Sequence, residues 1–131
     1  MVLIPGVADA VDVPVIAAGG IVDSRGLIAA MALGAQGVQI GTRFIATEEC
    51  DADQEWKNAI VRAAETDTHV VPRGSAQGRM LKEEIHSDAM AGIAVGLIHK
   101  IESAKSIIDA IADGTEGVLK NIEGQVRGQK T

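Results

Sequence analysis

Residues 13–20, Val-Pro-Val-Ile-Ala-Ala-Gly-Gly, carry a continuous apolar, β-branched run straight into two glycines. A strand without polar alternation needs cover on both faces, which suits a parallel sheet under helices better than a half-exposed antiparallel one. Asp23 or Ser24 then caps a helix carrying Leu27, Ile28, Met31 and Leu33 and ended by Gly34, and a second strand covers residues 37–40. The two strands start 24 residues apart, close to the repeat of roughly 30 residues in a (β/α)8 barrel. The order strand, glycine turn, helix, strand predicts a parallel pair.

Around this unit the pattern is less regular. A short helix is expected over residues 5–11 with Pro5 in its first turn, and a helical turn over 42–47. An amphipathic helix follows over 51–65, with Trp56, Ile60, Val61 and Ala64 near one side. Residues 68–71 form a short strand, 72–78 (PRGSAQG) read as loop by composition, and 79–85 are ambiguous. A small-residue helix is expected over 88–101. Ser103 caps another through about Asp113, and Gly114 and Gly117 count against its continuing. Residues 124–131 read as frayed. The expectation is one α/β domain over 1–131, with the strands in 1–50 and a mainly helical part in 51–131.

Composition narrows the function. A chain of 131 residues with 47% hydrophobic and 23% charged residues fits one globular domain. Its net charge of −6 repels phosphate backbones and anionic lipid, and only Trp56 and Phe44 are aromatic, so nucleic-acid binding and base stacking are disfavoured. Cys50 is the single cysteine and cannot form an internal disulfide, which points to a reducing compartment, read as cytoplasmic. The sequence shows neither a signal-peptide pattern nor a run approaching the ~20 apolar residues of a membrane span.

Two turns hold the chemistry. Ala18-Gly19-Gly20 follows the first strand and Ile40-Gly41-Thr42-Arg43 the second. Glycine lets backbone N–H groups approach an anion, and a helix N-terminus adds donors, so two such turns at neighbouring strand ends are candidates for one phosphate. Plain turn glycine is the competing reading, since neither GxGxxG nor the P-loop pattern is matched. The histidines have bland readings. His86-Ser87-Asp88 is a polar loop rather than a triad, because consecutive residues do not generally adopt the relay geometry. His99 sits near a helix end and His69 in a short strand. With Cys50 they lack metal-ligand spacing, and no metal is expected. Arg73 and Arg79 flank a glycine loop and are weaker candidates for a carboxylate or phosphate. Glu83-Glu84 reads as a wet helix face. Gly92 and Gly96, in a small-xxx-small pattern, suit close helix packing.

The run from Pro14 to Glu49, PVIAAGGIVDSRGLIAAMALGAQGVQIGTRFIATEE, closely resembles the flavin-dependent nitronate monooxygenases and the related FMN-containing enoyl-ACP reductases. Ala91–Ile98, AGIAVGLI, is similar to that family's late helix, with Gly92-Ile93 where the family usually has Gly-Gln. The resemblance implies the C-terminal part of an FMN-binding (β/α)8 TIM barrel, in which Gly19, Gly20, Gly41 and Thr42 hold the FMN phosphate. It implies an oxidoreductase acting on a small, nitronate-like substrate. The family's catalytic histidine belongs to an Ala-Gly-Gly-His type motif that no residue here matches, so no catalytic residue is assigned. A partial barrel leaves open strand edges, so a homo-oligomer or pairing with a missing N-terminal barrel part is expected. The alternatives are a non-catalytic flavin- or phosphate-binding barrel remnant and an enoyl-ACP reductase fragment.

Overall fold

A computed structural model gives the expected parallel pair. β1 (Ile16–Ala18) lies beside β2 (Gly37–Gln39), with Ile16 opposite Gly37, Ala17 opposite Val38 and Ala18 opposite Gln39. The structure describes residues 2–83, 85 and 89–128. Ile40–Ala104 forms one compact unit and the remaining described residues form another.

In the first unit, α1 (Leu3–Ala8) holds Pro5 in its first turn, where the missing N–H breaks no helical bond. α2 (Ser24–Ala32) joins the two strands and packs on β2. Asp23 caps it, the carboxylate accepting from the N–H groups of Arg25 at 2.9 Å and Gly26 at 3.3 Å. Gly34 ends it in the left-handed region at φ 99°, where a side chain would be strained. The core of the unit is small: Ala17, Ile21, Val22, Ala30, Ala35 and Ile107.

Two expectations fail in this unit. β1 is not buried on both faces: Ala17 is covered, whereas Ile16 is 56% exposed. A two-stranded sheet lacks the neighbours and helices that a full parallel sheet would lay against both sides. The glycines do not break the last helix, α5 (Ala104–Val126), which runs through Gly114 and Gly117. Gly114 is there for close approach, because a Cβ would stand 2.6 Å from Ser24 Oγ.

In the second unit, α3 (Thr42–Ile45) and α4 (Gln54–Arg62) both pack on a 3₁₀ turn, Ile93–Leu97. Asp53 caps α4 by accepting from Trp56 N–H at 2.8 Å. Ile60, Val95 and Ile98 are fully enclosed. Residues 72–78 are not a loop, because β3 (Thr68–Arg73) and β4 (Ala76–Leu81) form an antiparallel hairpin. The small-residue helix expected over 88–101 also does not form: Asp88 lies outside the described residues and the rest holds only the 3₁₀ turn. Its N–H groups find tertiary partners instead, Ala91 bonding Arg79 C=O at 3.0 Å and Gly92 bonding Thr42 Oγ1 at 3.0 Å. Gly96 packs closely, as expected, but in this turn and against Glu65, whose N would lie 2.9 Å from a Cβ.

Candidate functional site

The turn after β1 is built from two consecutive left-handed residues, Gly19 at φ 100° and Gly20 at φ 74°. Only glycine adopts this conformation without steric cost. Both glycines are exposed, and a Cβ on either would meet nothing within 4 Å. The absence of side chains here is therefore not imposed by packing within the chain.

The helix N-terminus beyond this turn has two of its N–H groups already engaged. The Asp23 carboxylate already occupies the N–H groups of Arg25 and Gly26. Its side chain also pairs with the Arg25 guanidinium, with Nε at 2.9 Å. That bond is the main reason the Asp23 pKa is lowered, against the smaller opposing effect of burial.

The turn after β2 works differently. Gly41 has φ −104°, which any residue tolerates, yet it too is exposed with open space where a Cβ would stand. Thr42 is half-buried, and its Oγ1 accepts from Gly92 N–H at 3.0 Å. Arg43, next in the same motif, is turned away from any ligand role. It is buried, donates to the carbonyls of Ala46 and Lys100 at 3.2 Å each, and forms an ion pair with Glu102. Burial lowers its pKa, and Glu102 offsets part of that shift. Arg43 thereby ties the 100–102 segment to α3. Beside it, Thr47 bridges Glu102, and the Glu49 carboxylate accepts from Ala104 N–H at 2.8 and 3.0 Å.

Gly19 and Gly20 belong to the first unit, and Gly41 and Thr42 to the second. Gly19, Gly20 and Gly41 are exposed and carry no side chain, and Thr42 is half-buried with its hydroxyl oxygen accepting from Gly92 N–H. Backbone N–H groups and a hydroxyl are donor types that can hold a phosphate.

The remaining candidates are dispersed. His69 is exposed on β3 opposite Met80, and His99 is exposed beyond the 3₁₀ turn. Cys50 is half-buried. Glu84, His86, Ser87 and Asp88 lie outside the described residues. Arg79 donates to Thr68 Oγ1 at 3.0 Å, and Glu83 pairs with Arg62 at 3.1 Å. Among the described residues no group of His, Cys, Asp and Glu could hold a metal ion, and no helix is long and apolar enough to cross a membrane. Sequence reasoning missed the role of Gly92, which is 50 positions from Thr42. No local spacing signals that contact.

Residues 1–129 match the family described as nitronate monooxygenase. A probable nitronate monooxygenase from Staphylococcus saprophyticus is 53% identical over 70 residues, which is 53% of this chain and 20% of that protein. Another, from Staphylococcus haemolyticus, is 54% identical over 70 residues, again 53% and 20%. Among solved structures, FabK from Thermotoga maritima superposes with a TM-score of 0.87 at 32% identity, covering 95% of this chain and 51% of that one. A nitroalkane oxidase from Streptomyces ansochromogenes shares the fold, with a TM-score of 0.77 at 22% identity over 92% of this chain and 44% of the other. The chain thus spans about half the length of these structures, and its matching segment about a fifth of the curated relatives.

Proposed function

Because the chain belongs to the nitronate monooxygenase family and folds as part of a (β/α)8 barrel, we propose that it is the FMN phosphate-binding part of an FMN-dependent oxidoreductase of the nitronate monooxygenase type. Gly19 and Gly20 supply backbone donors at one turn, and Gly41 and Thr42 supply a backbone donor and a hydroxyl at the other. The observation that carries the reading is the pair of consecutive left-handed glycines, open to solvent, directly after a parallel strand. A phosphate held there fixes the flavin by its tail and leaves the ring to meet a small substrate of the nitronate class.

Bound FMN supplies the electron-accepting and oxygen-handling chemistry, and this chain's residues bind and orient it. None of them is assigned as the base. A general base must reach the substrate proton, and the sequence has no counterpart to the Ala-Gly-Gly-His type motif that the resemblance associates with that task. The second reading, a flavin- or phosphate-binding piece that catalyses nothing alone, is favoured by that same lack. Oxygen consumption with a nitronate substrate and added FMN separates the two. Turnover far below that of a full-length relative is expected of the chain alone. Comparable turnover would show that a residue such as His69 or His86 acts as the base and would overturn the assignment of roles.

A further inference from the structure

We propose that Gly92 is a positioning residue: its N–H orients the Thr42 hydroxyl as a phosphate donor and thereby sets a preference for phosphorylated flavin over riboflavin. The inference rests on the reading of Thr42 as a phosphate ligand and adds the residue that makes it one.

A threonine hydroxyl has one proton to donate and two lone pairs that accept. Gly92 N–H, 3.0 Å from Oγ1, takes one lone pair. Among the described residues the Thr42 hydroxyl donates to no protein acceptor, so its proton remains available to an incoming oxygen. An oxygen that already accepts a hydrogen bond is also the better donor, since linked hydrogen bonds polarise one another. The χ1 restriction of a β-branched side chain keeps the hydroxyl where this bond sets it.

The donor is itself fixed. Gly92 C=O accepts from Val95 N–H at 3.2 Å, and Val95 C=O accepts from Ile98 N–H at 2.9 Å. Val95 and Ile98 are among the most completely buried side chains. Glycine is not required at position 92 for conformation, because its φ is −76°. Nor is it required for space: a Cβ would sit 3.4 Å from Thr42 Oγ1, an ordinary contact. What the site uses is the N–H.

Titrating FMN and riboflavin into the chain and four variants tests this. Wild type should prefer FMN. Thr42→Val should lose about tenfold or more in FMN affinity with riboflavin unchanged, the usual scale for a hydrogen bond to a charged group. Gly92→Ala keeps the N–H and should keep the preference. Gly92→Pro removes the N–H at a φ that proline adopts, and should lose as much FMN preference as Thr42→Val, with no further loss in the double variant. A purely structural role for Gly92 would lower both ligands together.

If Thr42→Val loses the preference and Gly92→Pro retains it, this inference is overturned and the phosphate reading stands. If Thr42→Val retains it, or wild type binds both flavins equally or not at all, the phosphate reading of Thr42 fails and takes this inference with it. Should Gly92→Pro not melt cooperatively, Thr42→Ser decides. Without the methyl group, serine depends on the Gly92 bond for its orientation, so a preference near wild type is expected, and a fall to the Thr42→Val level overturns the inference.

Discussion

Arg43 and Glu102, 59 positions apart, form an ion pair in which the arginine side chain is only 7% exposed and the glutamate 21%. The arginine fork is further satisfied by two carbonyl groups, and Glu102 by Lys100 Nζ at 2.7 Å. Removing one partner of a buried pair leaves a charge without compensation, which costs about 3 kcal/mol or more. Glu102→Gln should therefore lower the urea midpoint markedly. Arg43→Lys should also destabilise, because an ammonium cannot reproduce the planar fork. A midpoint unchanged in both variants would show that the pair does not hold the 100–102 segment.

The same residue shows where sequence reading stops. Within the Gly-Thr-Arg-Phe turn nothing local assigns Arg43 a role, and only its distant partners, Lys100 C=O and Glu102, reveal a structural one. The βαβ unit was legible because its signals are local: a β-branched run, two glycines, Asp23 before the helix and Gly34 after it. The hairpin was hidden by composition. Pro72 and Gly78 read as loop, yet Pro72 pairs with Gln77, and the side chain missing at Gly78 is replaced by Met90, whose Cε would lie 2.4 Å from a Cβ there. The helix expected near residues 88–101 fails for a related reason, since Ala91 and Gly92 give their N–H groups to partners outside the segment. At the site, Gly19, Gly20, Gly41 and Thr42 were identifiable as candidates from position alone, whereas Gly92 was not.

Asp23 makes stability depend on pH in a definite direction. Its pKa in the folded chain is lowered, chiefly by the Arg25 side chain, and burial opposes this. A carboxylate with a depressed folded pKa contributes stability above its unfolded pKa, near 3.9, and that contribution is lost as pH falls through the lower folded value. Asp23→Ala should cost about 1 kcal/mol at neutral pH, the usual worth of an N-cap. The wild type should lose this advantage as the medium is acidified below the ordinary Asp range. Thermal melts of both proteins across that interval check it, and a difference that persists undiminished at the acid end contradicts the cap assignment.

Val13 and Ile16, 65% and 56% exposed, leave apolar surface at the first strand of a two-stranded sheet. Open strand edges with apolar side chains favour pairing with another chain. The chain is expected to self-associate, or to bind a polypeptide that supplies the rest of a barrel. Light scattering should give a mass above the monomer. A well-folded monomer at micromolar concentration that binds no apolar-surface dye would contradict this.

Gly41 offers the most direct test of the phosphate clamp, because its backbone permits substitution. At φ −104° with open space around the Cβ position, Gly41→Val adds bulk only where an anion would sit, whereas Gly20→Val also strains a φ of 74°. FMN titration of Gly41→Val, with melting temperature measured on the same sample, isolates ligand binding from folding. The account predicts a melting temperature close to wild type and clearly weakened FMN binding. Affinity equal to wild type in a variant that melts normally would remove the Gly41 turn from the FMN site.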